Sequence, residues 1–156
     1  MRFHRHIALV SAGVLVVVSL LAAHVGASSA SPATTAQALI STYYSHINSD
    51  FQSGDFSDLS MFYGPDSVLT QSNPAGVTKV YSGLAAITGM YKGLYAKLPS
   101  LHFGLAAERS LGPTILLRYE RGSTPTMPNG PRCMHLFTVA NGLIQTDDWV
   151  SYFPGK

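Results

Sequence analysis

The sequence predicts an α+β domain in which helices pack into the concave face of a strongly curved, cone-shaped antiparallel sheet. Three observations predict it. A long helical apolar pattern opens the domain, a second one follows two short extended segments, and a run of strand-like segments closes it. A cone of this kind leaves an apolar pocket between helices and sheet.

The first helix rests on Ala36, Ile40, Tyr43, Tyr44, Ile47 and Phe51, which recur at helical spacing. Thr34 or Thr35 can cap it, and Gly54 can end it. Phe56, Leu59 and Phe62 share one side of a short helix over 56–63, which Gly64-Pro65-Asp66 breaks. Residues 67–72 read as a strand, Asn73-Pro74-Ala75-Gly76 as a turn, and 77–81 as a further extended piece. Ser82 is placed to cap the next helix. Its stripe is Ile87, Met90, Tyr91, Leu94 and Leu98, and Pro99 stops it. Strands are then expected over 101–109, 113–121, 132–139 and 143–153. A proline-rich loop spans 122–131, and a tight turn falls at Ala140-Asn141-Gly142. No internal repeat and no second domain is visible, so the domain is expected over 34–153.

Residues 1–31 read as a secretory signal. Two arginines lie in the first six residues, an apolar run covers 7–23, and small residues follow at 26–33. Cleavage can follow Ala27, Ala30 or Ala33. The alternative is an uncleaved anchor, because the run approaches the ~17–25 residues that span a bilayer. The small-residue tail and the lack of charge after the run favour cleavage. The expected location is therefore secreted or extracytoplasmic, with no membrane attachment after cleavage. A lipid anchor would need a cysteine near the signal, and the one cysteine is Cys133, in an apolar strand. There it reads as a small buried thiol.

The chain has ten Lys+Arg and eight Asp+Glu, and two of the basic residues lie in the signal. The remaining domain is formally neutral and has no basic stripe, which argues against a nucleic-acid partner. No phosphate loop, dinucleotide fingerprint or Gly-x-Ser-x-Gly elbow occurs. Scattered histidines without tight spacing argue against a metal site. No cofactor is expected.

Three short segments carry a family resemblance. They are Phe62-Tyr63-Gly64-Pro65-Asp66-Ser67-Val68, Tyr81-Ser82-Gly83-Leu84-Ala85-Ala86-Ile87, and His135-Leu136-Phe137-Thr138-Val139-Ala140-Asn141-Gly142-Leu143-Ile144. In that order, on those elements, the chain resembles the nuclear transport factor 2-like superfamily, especially its SnoaL-like branch. The resemblance implies the cone fold. It does not fix one function, because the superfamily holds isomerases, epoxide hydrolases, cyclases, dehydratases and noncatalytic members. Ketosteroid isomerases carry a general-base aspartate in an Asp-Pro-Val-Gly turn, where this chain has Asn73-Pro74-Ala75-Gly76. An amide cannot take the proton. Limonene-type epoxide hydrolases carry Arg-x-Asp on a central strand, which Arg118-Tyr119-Glu120 resembles, but Trp149 falls where their second aspartate would be.

The most informative pair comes from hairpin geometry. A two-residue loop at Asn141-Gly142 sets His135 opposite Asp148. A three-residue loop with a bulge, the family's usual turn, sets it opposite Asp147. Either register places a carboxylate beside the imidazole, so His135, Asp147 and Asp148 are the candidate catalytic residues. A structural cross-strand pair explains the same pattern. Candidate ligand contacts are Tyr43, Tyr63, Met90, Tyr91 and Trp149 on an apolar wall. Asn73, Arg118 and Glu120 would supply polar contacts. Arg118 and Glu120 can equally form an ion pair on a solvated face. Three functions stay open: noncatalytic binding of an apolar small molecule, a SnoaL-like isomerase, cyclase or hydrolase using the His–Asp pair, and an interaction module whose sheet builds a homodimer.

Overall fold

The computed structural model describes residues 33–152, so the expected signal at 1–31 lies outside the described residues. The elements follow the expected order. Helix α1 covers Ala33–Ser53, β1 Tyr63–Ser72, β2 Thr78–Ser82 and α2 Gly83–Tyr95. Strands β3 His102–Ser110, β4 Ile115–Ser123, β5 Arg132–Ala140 and β6 Leu143–Tyr152 complete the domain. The sheet order is β2-β1-β6-β5-β4-β3. The expectation of a wholly antiparallel sheet needs one correction: β1 and β6 run parallel, so the sheet is mixed. A parallel pair requires a long crossover, and here the whole chain from β2 to β5 provides it.

Local differences have local causes. The expected helix at 56–63 is a 3-10 turn over Ser57–Met61. The Gly64-Pro65-Asp66 break is no gap. It becomes an irregularity inside β1, where register with β6 shifts between Tyr63 and Val68. Ser82 holds the N-cap position of α2 but makes no side-chain cap. Gly83 sets the geometry there instead: its φ is +79°, and a Cβ would lie 2.9 Å from the Pro65 carbonyl oxygen. At the other helix, Gly54 (φ +78°) ends α1 and donates its N–H to the Asp50 carbonyl at 2.7 Å.

The core lies between the two helices and one face of the sheet. Along β5, Cys133, His135, Phe137 and Val139 are buried, while Met134, Leu136 and Thr138 on the other face are half-buried. Aromatic rings fill much of the covered side. Phe51 meets Phe56 and Phe103 edge-on at 5.4 and 5.7 Å, and Tyr91 stacks on Trp149 at 6.4 Å. Each fully buried ring of this size is worth roughly 1.5–3 kcal/mol through its area alone. Among the described residues no helix is long and apolar enough to cross a membrane.

Candidate functional site

One register row runs across the covered face of the sheet. Glu108 pairs with Arg118, Arg118 with His135, His135 with Trp149, Trp149 with Gln71, and Gln71 with Lys79. Period-2 geometry puts these side chains on one face. The hairpin reaches this register by a route the sequence did not suggest. Its loop is the two residues Asn141-Gly142, since Ala140 pairs with Leu143, and a register shift between Thr138 and Val139 adds a bulge in the strands. His135 therefore lies opposite Trp149, and neither expected register is correct. Asp147 pairs with Phe137, one step diagonal to His135 on the same face. Asp148 pairs with Leu136 and points to the opposite, exposed face. It is no part of the cluster.

The diagonal contact is direct. His135 Nδ1 lies 2.8 Å from Asp147 Oδ1, and His135 and Asp147 are 2% and 0% exposed. Asp147 Oδ2 accepts from the Tyr63 hydroxyl at 3.1 Å. Tyr63 lies 3.2 Å from the Tyr43 hydroxyl, which is bonded in turn to the Tyr91 hydroxyl. Three phenols from α1, β1 and α2 thus close on one carboxylate. On the other side of His135, Arg118 Nε donates to Glu120 Oε1 at 2.6 Å, and its Nη1 donates to Glu108 Oε2 at 2.9 Å. The Arg118 guanidinium also lies 3.9 Å above the Tyr44 ring. Arg118 and Glu120 are buried, so the ion pair is not on a solvated face.

Electrostatics follow from burial and pairing. Burial alone would lower the His135 pKa. The charge and hydrogen bond of Asp147, with help from Cys133 and Glu120, override it and raise the value from 6.5 to about 10. His135 is therefore an imidazolium at neutral pH. Glu120 is pushed up by burial, against the pull of His135, Arg118 and the Tyr44 hydroxyl. Tyr43, Tyr44, Tyr63 and Tyr91 are all raised, first by burial, and stay protonated donors.

Four buried polar atoms of the cluster lack a well-formed hydrogen bond in the protein: Tyr44 Oη, Glu120 Oε2, His135 Nε2 and Trp149 Nε1. The Tyr44 hydroxyl nevertheless lies near enough to Glu120, and the Cys133 thiol to His135, to favour their charged forms. His135 Nε2 and Glu120 Oε2 face each other at 3.8 Å, beyond hydrogen-bond reach. Buried polar groups are nearly always satisfied, so this side of the cluster stands apart from the Asp147 side, where every oxygen is used. A cavity of about 390 Å³ lies at its outer end, lined by Gln37, Ala38, Ser41, Leu105, Glu108 and Arg118.

The remaining candidates lie elsewhere. Asn73 is exposed in the β1–β2 turn, where its Oδ1 accepts from the N–H of Ala75 and Val77 at 3.0 and 3.1 Å. That is a turn-forming role, and Asn73 does not reach the cluster. Met90 lines a separate groove beside α2. Tyr44 and Glu108 were missed in the sequence. Tyr44 reads there as one more core position on α1, and only the fold sets it under Arg118. Among the described residues no group of three or more His, Cys, Asp or Glu could hold a metal ion.

Comparison with known proteins bears on the family and the fold. The profile of a SnoaL-like domain matches residues 42–146. A sequence comparison with curated proteins finds no match. Solved structures are similar over most of their length. A proposed polyketide cyclase from Sinorhizobium meliloti superposes with a TM-score of 0.55 at 18% identity, covering 71% of this chain and 92% of that one. A proposed isomerase of the SnoaL-like family from Agrobacterium tumefaciens gives 0.57 at 16% identity, covering 78% and 99%. A nuclear transport factor 2-like protein of unknown function from Mesorhizobium loti gives 0.60 at 18%, covering 81% and 96%. At these identities the likeness concerns the fold.

Proposed function

The chain belongs to the SnoaL-like domain family, and on that premise we propose that it is an exported acid/base catalyst that shifts protons on a small, largely apolar carbonyl compound. The observation that carries this reading is the set of unpartnered atoms, Tyr44 Oη, Glu120 Oε2 and His135 Nε2, in a shell of aromatic rings. Each such atom costs about 1–3 kcal/mol of desolvation. A purely structural core would be more stable without them.

The roles follow from what is free and what is engaged. Asp147 is fully occupied by His135 and Tyr63, so it orients and charges the imidazole and moves no proton. Glu120 Oε2 is the base. Its raised pKa brings it closer to working pH, where a base is most effective. It takes a proton from the carbon next to the carbonyl. The electron pair moves to the carbonyl oxygen, which receives hydrogen bonds from His135 Nε2–H and the Tyr44 hydroxyl. Return of the proton from Glu120 to the same carbon restores the carbonyl compound. Where a carbon–carbon double bond adjoins that carbon, return to its far end gives the isomer. Either way the carboxylate is restored. The cleft beside Glu108 reaches Arg118 but not Tyr44, Glu120 or His135, so entry by that side requires the buried Arg118 side chain to leave its bonds to Glu108 and Glu120. This reading replaces noncatalytic binding as the leading one, because binding alone needs apolar walls and no buried acid and base.

The test uses 2-tetralone in D₂O, with exchange of its α-hydrogens followed by proton NMR. Protein recovered from the exported fraction should begin between Ser28 and Thr34 and should accelerate exchange well above buffer at equal pH. Exchange at the buffer rate would remove the catalytic reading. Full-length protein held in the membrane would remove export.

A second reading has its own observation. On the opposite face of the sheet Tyr119, Met134 and Val150 form one row, and Leu117 and Leu136 form the next. These apolar side chains are half-buried or exposed, and no described element covers them. We propose that this face builds a homodimer. Light scattering of the wild type should give twice the chain mass, and Leu136→Asp should give a monomer. A wild-type monomer at high micromolar concentration would exclude it.

A further inference from the structure

Helix α2 and the β1–β2 pair enclose a groove of about 420 Å³ that the buried cluster does not use. Its charged lining is Lys79 and Lys97, and no acidic residue lines it. Among the described residues neither lysine pairs with a carboxylate. Its other lining is mainly apolar: Met90 and Leu94 from α2, and the ring of Tyr81 from β2.

The helix is unusual on this side. Gly89 and Gly93 both line the groove, one turn apart. Glycine inside a helix is destabilising relative to alanine. Neither is needed for close packing in this chain, since a Cβ at either position would meet nothing within 4 Å. Their effect is to leave the space open. The volume falls in the range of small-molecule sites, and an apolar body under two unpaired cations complements one kind of occupant.

We infer that this groove binds a free amphiphilic carboxylate: one anionic head held by Lys79 and Lys97, and an apolar body lying over Met90, Leu94 and the two glycines. The site is separate from the His135–Asp147 cluster and does not depend on its chemistry. A bare inorganic anion would leave the apolar floor unused. A neutral lipid would leave both lysines unpaired.

The probe is decanoate, titrated into the protein by calorimetry, with decanamide and decyltrimethylammonium as neutral and cationic partners of the same chain length. Decanoate should bind at least tenfold more tightly than either. The double variant Lys79→Gln/Lys97→Gln should lose that preference. Gly89→Leu should abolish binding by filling the groove while its Tm stays at or above that of the wild type, because leucine is the better helix former. That combination separates a blocked site from a misfolded one. Equal affinity for the three probes would overturn the inference. So would decanoate binding that survives both variants, or the absence of any binding. Sedimentation with phosphatidylglycerol vesicles without binding of monomeric decanoate would also overturn it, by assigning the lysines to a membrane surface.

Discussion

Asp147→Asn should be among the most damaging single substitutions in the chain, lowering stability by about 3–5 kcal/mol. The amide keeps the shape and can still accept from Tyr63, but it removes the charge that holds a fully buried imidazolium. The pH dependence identifies the cause. His135 has its folded pKa raised from 6.5 to about 10. A raised histidine stabilises fully below its unfolded pKa, and the gain is lost as pH climbs through the folded one. Wild-type Tm should therefore fall between pH 6.5 and 10. In Asp147→Asn the two largest raising influences are gone and burial opposes only Cys133 and Glu120, so the His135 pKa falls and this slope shrinks. Urea denaturation at pH 7 and a Tm series at five pH values check both parts. If the single variant does not fold, His135→Gln/Asp147→Asn answers the question. A neutral pair that can hydrogen-bond should recover more than half of the loss. A single variant with wild-type stability and an unchanged slope would mean that the two groups are not charged partners.

Much of this fold could be read from residue patterns, and the failures have physical causes. The long elements were legible because their period was carried by large side chains, as with Ile40, Tyr43, Ile47 and Phe51 on α1. The parallel β1–β6 pair was not, since strand direction between segments eighty residues apart leaves no mark in either segment. The hairpin shows the same limit in miniature. Asn141-Gly142 marks the turn, but the shift between Thr138 and Val139 leaves no signal in the turn residues. His135 therefore met Asp147 diagonally. The pairing was foreseen by face and missed by register. Arg118 and Glu120 were legible as neighbours, being two apart on a strand. Their burial was not, because it comes from Tyr44 and the chain packed above them. Asn73 was singled out by likeness to a catalytic turn, yet nothing in four residues could say that its side chain closes its own loop.

Glu120→Gln should move stability and activity in opposite directions, and that divergence is the sharpest test of the proposed chemistry. Burial raises the Glu120 pKa, so the folded state disfavours its carboxylate relative to the unfolded chain. For such a group, stability is lost as pH rises from the unfolded pKa through the folded one. At pH 7 a neutral isostere escapes that cost. Its amide oxygen can still accept from Arg118 Nε, now bonded to Glu120 Oε1 at 2.6 Å, and Glu108 keeps its own bond to the guanidinium. The variant should therefore be at least as stable as the wild type in urea. The base, however, is gone. Exchange on 2-tetralone should fall by ~10²–10⁴-fold, the usual contribution of a positioned general base, and the rise of rate with pH that marks its ionisation should vanish. A structural ion pair predicts the reverse, because halving it would leave Arg118 less well compensated and lower the Tm. Undiminished exchange in a stable Glu120→Gln would place the base elsewhere. A destabilised variant with no wild-type activity to lose would make the Glu108, Arg118, Glu120 and His135 cluster a matter of architecture alone.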